Sequence, residues 1–253
     1  MNETKINRKF VVRGRNLAAL IVFFILTAAL IGGVVWSCLL YQNGELGEEA
    51  FSHRILFVFI CLVCMALVFV FELVFRVRLP LFFEIMIMGF AFMSTALSTT
   101  YGFYSLVYEW DSIVHTVSGM VFSSMGLCLA HLIFRDRLEG KHQALVFILF
   151  AFLIALAVGY LWEIFEYTAD AVIENNLQCY RNGIVKDLGN GTYIVNSLRG
   201  TGLIDTLTDM IVNCAGAVGF LLVFLILFLK KPNTISLFRA QPFKKKNKRT
   251  PQE

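Results

Sequence analysis

"ALVFILFAFLIALAVGYLWEIFEYTADA", residues Ala144–Ala171, decides how this chain is read. Its first fifteen residues, Ala144–Val158, contain no charge, no amide and no proline. A helix needs about 20 mostly apolar residues to cross a hydrocarbon core of about 30 Å, and this stretch is long enough. Yet it closes on Glu163, Glu166 and Asp170. Spacings of three and four place these acids on one stripe of a helix, so the segment reads as a membrane span with an acidic face at one end.

The rest of the chain agrees with the first half of that reading. It is 58% hydrophobic and 16% charged, with a mean hydropathy of +0.71, outside the range of soluble globular domains. Runs of spanning length, bounded by charges or turn residues, predict six helices: Leu17–Tyr41, Arg54–Phe75, Leu81–Tyr104, Ser112–Phe134, Ala144–Ala171 and Asp205–Leu229. The expected fold is an all-α, polytopic six-helix bundle. The first run exceeds the apolar core of a cleaved leader and is followed by no small-residue cleavage site, so it is expected to remain as a membrane anchor. The expected organisation is a basic segment over residues 1–16, a membrane domain over 17–229 and a basic tail over 230–253.

Basic residues set the expected orientation. Five precede the first helix (Lys5, Arg8, Lys9, Arg13, Arg15), Arg76 and Arg78 separate helices 2 and 3, and Arg135, Arg137 and Lys141 separate helices 4 and 5. Eight more lie between Lys230 and Arg249. These alternate segments hold 18 of the 22 basic residues, which predicts that both termini are cytoplasmic in a multi-pass bacterial plasma-membrane protein. The net charge of +4 then requires no nucleic acid. The run "KKKNKR", Lys244–Arg249, is a topology determinant first and a contact for anionic lipid headgroups second. The long connection over residues 172–204 is expected outside the cell. Within it, β-branched runs flank "GNG" in "IVKDLGNGTYIVNS" (Ile184–Ser197) and predict a small hairpin, with Asn190-Gly191-Thr192 read as turn chemistry.

Polar residues converge at one end of helices 4, 5 and 6. Helix 4 carries Asp111 and His115 on one face of its opening turns, and helix 6 carries Asp205, Asp209 and Asn213 at one-turn intervals. Charges near a helix centre cost about 2.5–3.5 kcal/mol each on insertion scales, so these groups should face one another or a wet cavity. Crowded carboxylates require protons, His115, Arg199 or a cation as opposing charge. One imidazole among carboxylates suits Mg²⁺, Mn²⁺ or Zn²⁺. The candidate metal ligands are Asp111, His115, Glu163, Glu166, Asp205 and Asp209. Glu163, Glu166, His115 and Asp209 are also the candidate catalytic groups, supported by Arg199 and Asn213.

Blander roles compete at several positions. Asp111 and Asp205 stand in first turns, where an aspartate caps free N–H groups. Asp170 reads as a solvated helix end, and Asn213 as interhelical glue, with Gly216 and Gly219 permitting close packing. Cys61 and Cys64 read as lipid-facing filler, and Glu72 with Arg76 as a local ion pair. Glu84 and His131 fall near the inner face. Trp36, Trp110 and Trp162 read as interfacial anchors, Trp162 also as a wall of the pocket.

"WDSIVH", "GYLWEIFEY" and "RGTGLIDTLTDMIVNCAGA" together resemble the YjdF-like family of bacterial inner-membrane proteins. In that pattern an aspartate precedes a histidine by four, a glutamate pair follows three apart, and a Gly-Thr element leads to Asp-Thr and a second aspartate. Asp111, His115, Glu163, Glu166, Gly200, Thr201, Asp205, Thr206 and Asp209 follow it in order, while "TGLI" replaces the usual Asp-Pro-Trp. A more distant similarity is to VanZ-like membrane proteins, linked to glycopeptide resistance, through His115, Glu163, Arg199, Asp209, Asn213 and Gly216. There Glu166 stands in place of a glutamine. These resemblances imply the architecture and the polar site.

Three functions fit: a metal-dependent enzyme or binder acting on an envelope lipid or lipid-linked precursor, a proton- or cation-coupled transporter, or a non-catalytic envelope assembly factor. Catalysis, substrate and oligomeric state are not readable from the residues.

Overall fold

The structure, a computed structural model, describes residues 7–107, 109–134, 140–173, 177–178, 184–187, 193–195 and 202–242. Arg199, Gly200, Thr201, Asn190-Gly191-Thr192 and the Lys244–Arg249 run lie outside the described residues. The chain is an all-α polytopic bundle. Its helices are α1 (Asn7–Gln42), α2 (Glu48–Phe75), α3 (Leu81–Ala91), the short α4 (Phe103–Leu106), α5 (Trp110–Phe134), α6 (Gly140–Ile173) and α7 (Leu203–Lys230). Six described segments are long and apolar enough to span a membrane: Leu17–Gln42, Glu48–Phe75, Leu81–Thr100, Trp110–Phe134, His142–Val172 and Leu203–Lys230.

Two spans differ from their sequence boundaries. α2 begins at Glu48 rather than Arg54, with Gly47 in extended conformation before it. The third span continues from α3 as a π-helix, Phe92–Thr100, and stops before Tyr104 because Gly102 turns the chain at a φ of 74°. Hydroxyl residues accompany the wide turn. Thr95 Oγ1 donates to Ala91 O, and Ser98 Oγ reaches five residues back to Met93 O at 2.9 Å. The wide turn ends against α1, where Tyr101 Oη donates to Ala29 O at 2.7 Å. Gly33 makes room there, since a Cβ would stand 2.9 Å from Thr100 Cγ2.

α5 is the central helix, with half of its apolar stretch buried against 17–33% in the other spans. Small residues make this possible. A Cβ on Gly119 would collide with Asn213 O of α7, and one on Gly216 with Thr116 O of α5, so the two backbones touch. Gly126 lets α6 approach as closely, with Ala151 Cα 2.5 Å from where its Cβ would be. Gly219 has nothing within 4 Å of a Cβ, so close packing falls to Gly119 and Gly216 rather than to Gly219. Phe147, Met65, Met88 and Leu127 fill the core, while Phe24, Ile31, Phe59 and Leu73 are exposed in the way lipid-facing residues are.

At the end of the bundle away from Asp111, the chain closes on itself. β1 (Val77–Arg78) pairs antiparallel with β4 (Gln241–Pro242), which holds the 3₁₀ helix Pro232–Phe238 against α3 and α7. Glu72 pairs with Arg78 at 3.2 Å and accepts the Leu79 N–H at 2.7 Å, not with Arg76 as helical spacing suggests. Arg76 leaves the helix in the left-handed region, at a φ of 51°, and the next turn brings Arg78 back. Cys61 is fully buried in the bundle, so it is not lipid-facing filler. The predicted hairpin forms from β2 (Ile184–Asp187) and β3 (Tyr193–Val195), antiparallel, with an irregularity between Ile184 and Lys186.

Candidate metal centre

Three helices build the polar site. α5 contributes Asp111 and His115, α6 contributes Glu163 and Glu166, and α7 contributes Asp205 and Asp209. Each pair is three or four residues apart, so each helix presents two groups on one face. The Gly119–Gly216 crossing brings α5 and α7 together within about one turn of His115 and Asp209. Gly159 admits α6 to the same junction, since its Cβ would lie 2.8 Å from Asn213 Oδ1.

His115 stands at the centre. Its Nδ1 lies 3.9 Å from Glu163 Oε1, and its Nε2 lies 3.7 Å from Asp111 Oδ1 and 4.0 Å from Asp209 Oδ2. One ligand atom from each of His115, Glu163, Glu166 and Asp209 falls within 4.8 Å of all the others. Asp111, Asp205 and Asp209 form a second such group with Asp209 in common. Ligands on opposite sides of an octahedral Mg²⁺, at 2.0–2.1 Å from it, are about 4 Å apart. Closing either group on a cation draws its ligand atoms inward from the separations seen here.

Burial and partners separate the members. His115, Glu163, Glu166 and Asp209 are 2–6% exposed. Glu166 is held by Trp162, whose Nε1 donates to Oε1 at 2.8 Å. Neither oxygen of Glu163 has a hydrogen bond of sound geometry among the described residues, and neither does Asp209 Oδ2. A buried carboxylate without donors is costly, by several kcal/mol in order of magnitude if ionised, unless a proton or cation meets it. Asp111 is more open and takes a long contact from the Tyr104 hydroxyl, at 3.5 Å.

Asn213 is placed below the ligand groups, not among them. Its Nδ2 donates to Ser118 Oγ at 2.7 Å, and Ser118 in turn donates to His115 O. That chain ties α7 to α5 and fixes the turn carrying the histidine, as the glue reading expects.

Two neighbours have other jobs than their sequence positions suggest. Asp170 is 8% exposed rather than solvated, and accepts the Leu177 and Gln178 N–H groups at 2.7 and 2.9 Å. These bonds tie residues beyond the end of α6 to its last turns, and the Gln178 side chain donates to Thr206 of α7 at 2.9 Å. Trp110 is 8% exposed and donates to Ser98 Oγ at 2.8 Å, so it is a buried link to the π-helix rather than an interfacial anchor. Ser98, Ser118 and Gly119, absent from the sequence reading, are therefore supports of the site. The signal for Gly119 was a small residue one turn below His115.

The chain belongs to the family described as Predicted membrane protein (DUF2238), which matches residues 46–231. That range holds every helix of the site and lies wholly beyond α1. No curated protein and no solved structure matches the chain.

Proposed function

We propose that this chain is a metal-dependent membrane protein that binds or transforms an envelope lipid, or a lipid-linked precursor, at the outer leaflet of a bacterial plasma membrane. The observation that carries this reading is Glu163: buried, with no hydrogen bond of sound geometry on either oxygen among the described residues, and grouped with His115, Glu166 and Asp209. Such a set suits a divalent cation, Mn²⁺ or Zn²⁺ ahead of Mg²⁺ because of the imidazole. A cation there would polarise a phosphoryl or carbonyl oxygen. Glu166, oriented by Trp162, and His115 are the groups placed to hold or move a proton. The outward orientation rests on the Lys and Arg distribution, with both termini cytoplasmic. Arg199 is assigned to an anionic headgroup, and the basic tail to the inner leaflet.

Elemental analysis of the detergent-purified protein beside Glu166→Gln tests the metal. At least one Mn, Zn or Mg per chain in the parent and a large loss in the variant is the expected result. Absence of metal from the parent, after reloading with each of the three, would remove this reading. For the ligand, a fluorescent polyisoprenyl phosphate should bind the metal-loaded protein in micelles more tightly than the chelated one.

One observation favours a second reading, coupled transport of protons or cations. Glu72 and Glu84 abut one another at the opposite end of the bundle and are 3 and 4% exposed, so ionisable groups stand at both ends of the membrane domain. Flux in proteoliposomes that is abolished by both Glu84→Gln and Glu163→Gln would select it.

A further inference from the structure

We infer that the pocket is built for two divalent cations bridged by Asp209, a deepening that rests on the metal reading above. The two ligand groups share that one residue. The inner group of His115, Glu163, Glu166 and Asp209 is buried throughout, whereas Asp111 and Asp205 of the outer group are only half-buried. Asp209 is itself 2% exposed, and its Oδ2 has no hydrogen bond among the described residues. A carboxylate gives one oxygen to each of two ions about 3.5–4 Å apart in two-metal sites. Asp209 is the residue in a position to do so.

Charge supports the same count. Five carboxylates, Asp111, Glu163, Glu166, Asp205 and Asp209, belong to the two groups. One divalent ion would leave three negative charges in a cluster that is largely dry. Two ions leave one. The imidazole is also placed between the groups, with Nδ1 towards Glu163 and Nε2 towards Asp111 and Asp209.

The two positions would differ in use. The inner ion is enclosed by four protein ligands. The outer one has three carboxylates and a half-open side, so it keeps coordination positions for water or for an oxyanion such as a phosphate ester.

Manganese titration of the purified, metal-stripped protein tests this, read by elemental analysis and by electron paramagnetic resonance. The parent should retain two Mn per chain and give an exchange-coupled spectrum. Asp205→Asn should retain one and give the spectrum of an isolated ion. Asp111→Asn, at a more exposed position, should do the same, and covers the case in which Asp205→Asn does not fold. A parent that saturates at one Mn, unchanged in both variants, overturns the second ion and leaves the metal reading standing. A parent that retains none overturns both.

Discussion

Glu72 and Glu163 sit at opposite ends of the same bundle, are equally buried, and are treated in opposite ways. Glu72 is 3% exposed and meets an arginine and a backbone N–H within 3.2 Å. Glu163 is 5% exposed, and among the described residues neither of its oxygens has a hydrogen bond of sound geometry, although the Thr206 hydroxyl is nearby. The first is a finished structural contact, in which the protein supplies the opposing charge. The second lacks that opposing charge among the described residues, which is what a ligand-binding carboxylate requires. Burial alone does not tell the two apart; the inventory of partners does.

The largest effect should come from the finished contact. Glu72→Ala takes one acceptor from Arg78, which is 40% exposed, and the acceptor from the buried Leu79 N–H, and should cost about 2–4 kcal/mol. Thermal unfolding in detergent should show that loss whether or not metal is present. Asp170 sharpens the comparison, because it lies at the site end but is finished in the manner of Glu72. Asp170→Asn weakens two charge-assisted bonds and should cost about 1.5–3 kcal/mol, again independently of metal.

Glu163→Gln should do the reverse. In chelator, removing an unsatisfied buried carboxylate should leave stability unchanged or raise it, by up to about 1–3 kcal/mol, while metal stabilisation disappears. A destabilised chelated variant would break the distinction between the two ends. The smallest effect belongs to Trp162→Phe, which removes the donor to Glu166 but keeps an aromatic wall. Loss of a group that orients a ligand typically weakens metal affinity about 10–100-fold, and the low end is expected here, measured by competition with a chromogenic chelator.

The comparison also shows what could be read from residues alone. Six spans and the stripes on α5, α6 and α7 follow from apolar length and from three- and four-residue spacing, which are local properties. The partners of Glu72 were not legible, because the spacing rule assumes that the helix continues through Arg76, and it does not. Asp170 is hidden for a similar reason: its donors, the Leu177 and Gln178 N–H groups, lie beyond the end of the helix. The π-helix arises from wide backbone pairing with hydroxyl support, and hydropathy does not register it. Gly119 and Gly159 matter only through helices distant in sequence, so no single segment announces them.

Contact between the main chains of α5 and α7 at Gly119 and Gly216 has a bearing on ion choice. Where two helices meet through side chains, rotamers can yield to a larger guest; here the nearest atoms are backbone, and there is no such slack. The separation of His115 from Asp209 is thereby fixed by the skeleton of the protein. Any adjustment to the radius of an ion therefore falls to the His115 and Asp209 side chains, whose Nε2 and Oδ2 stand 4.0 Å apart. The helix crossing sets how far apart the two main chains stand, and the side chains alone set how an ion of a given radius is met.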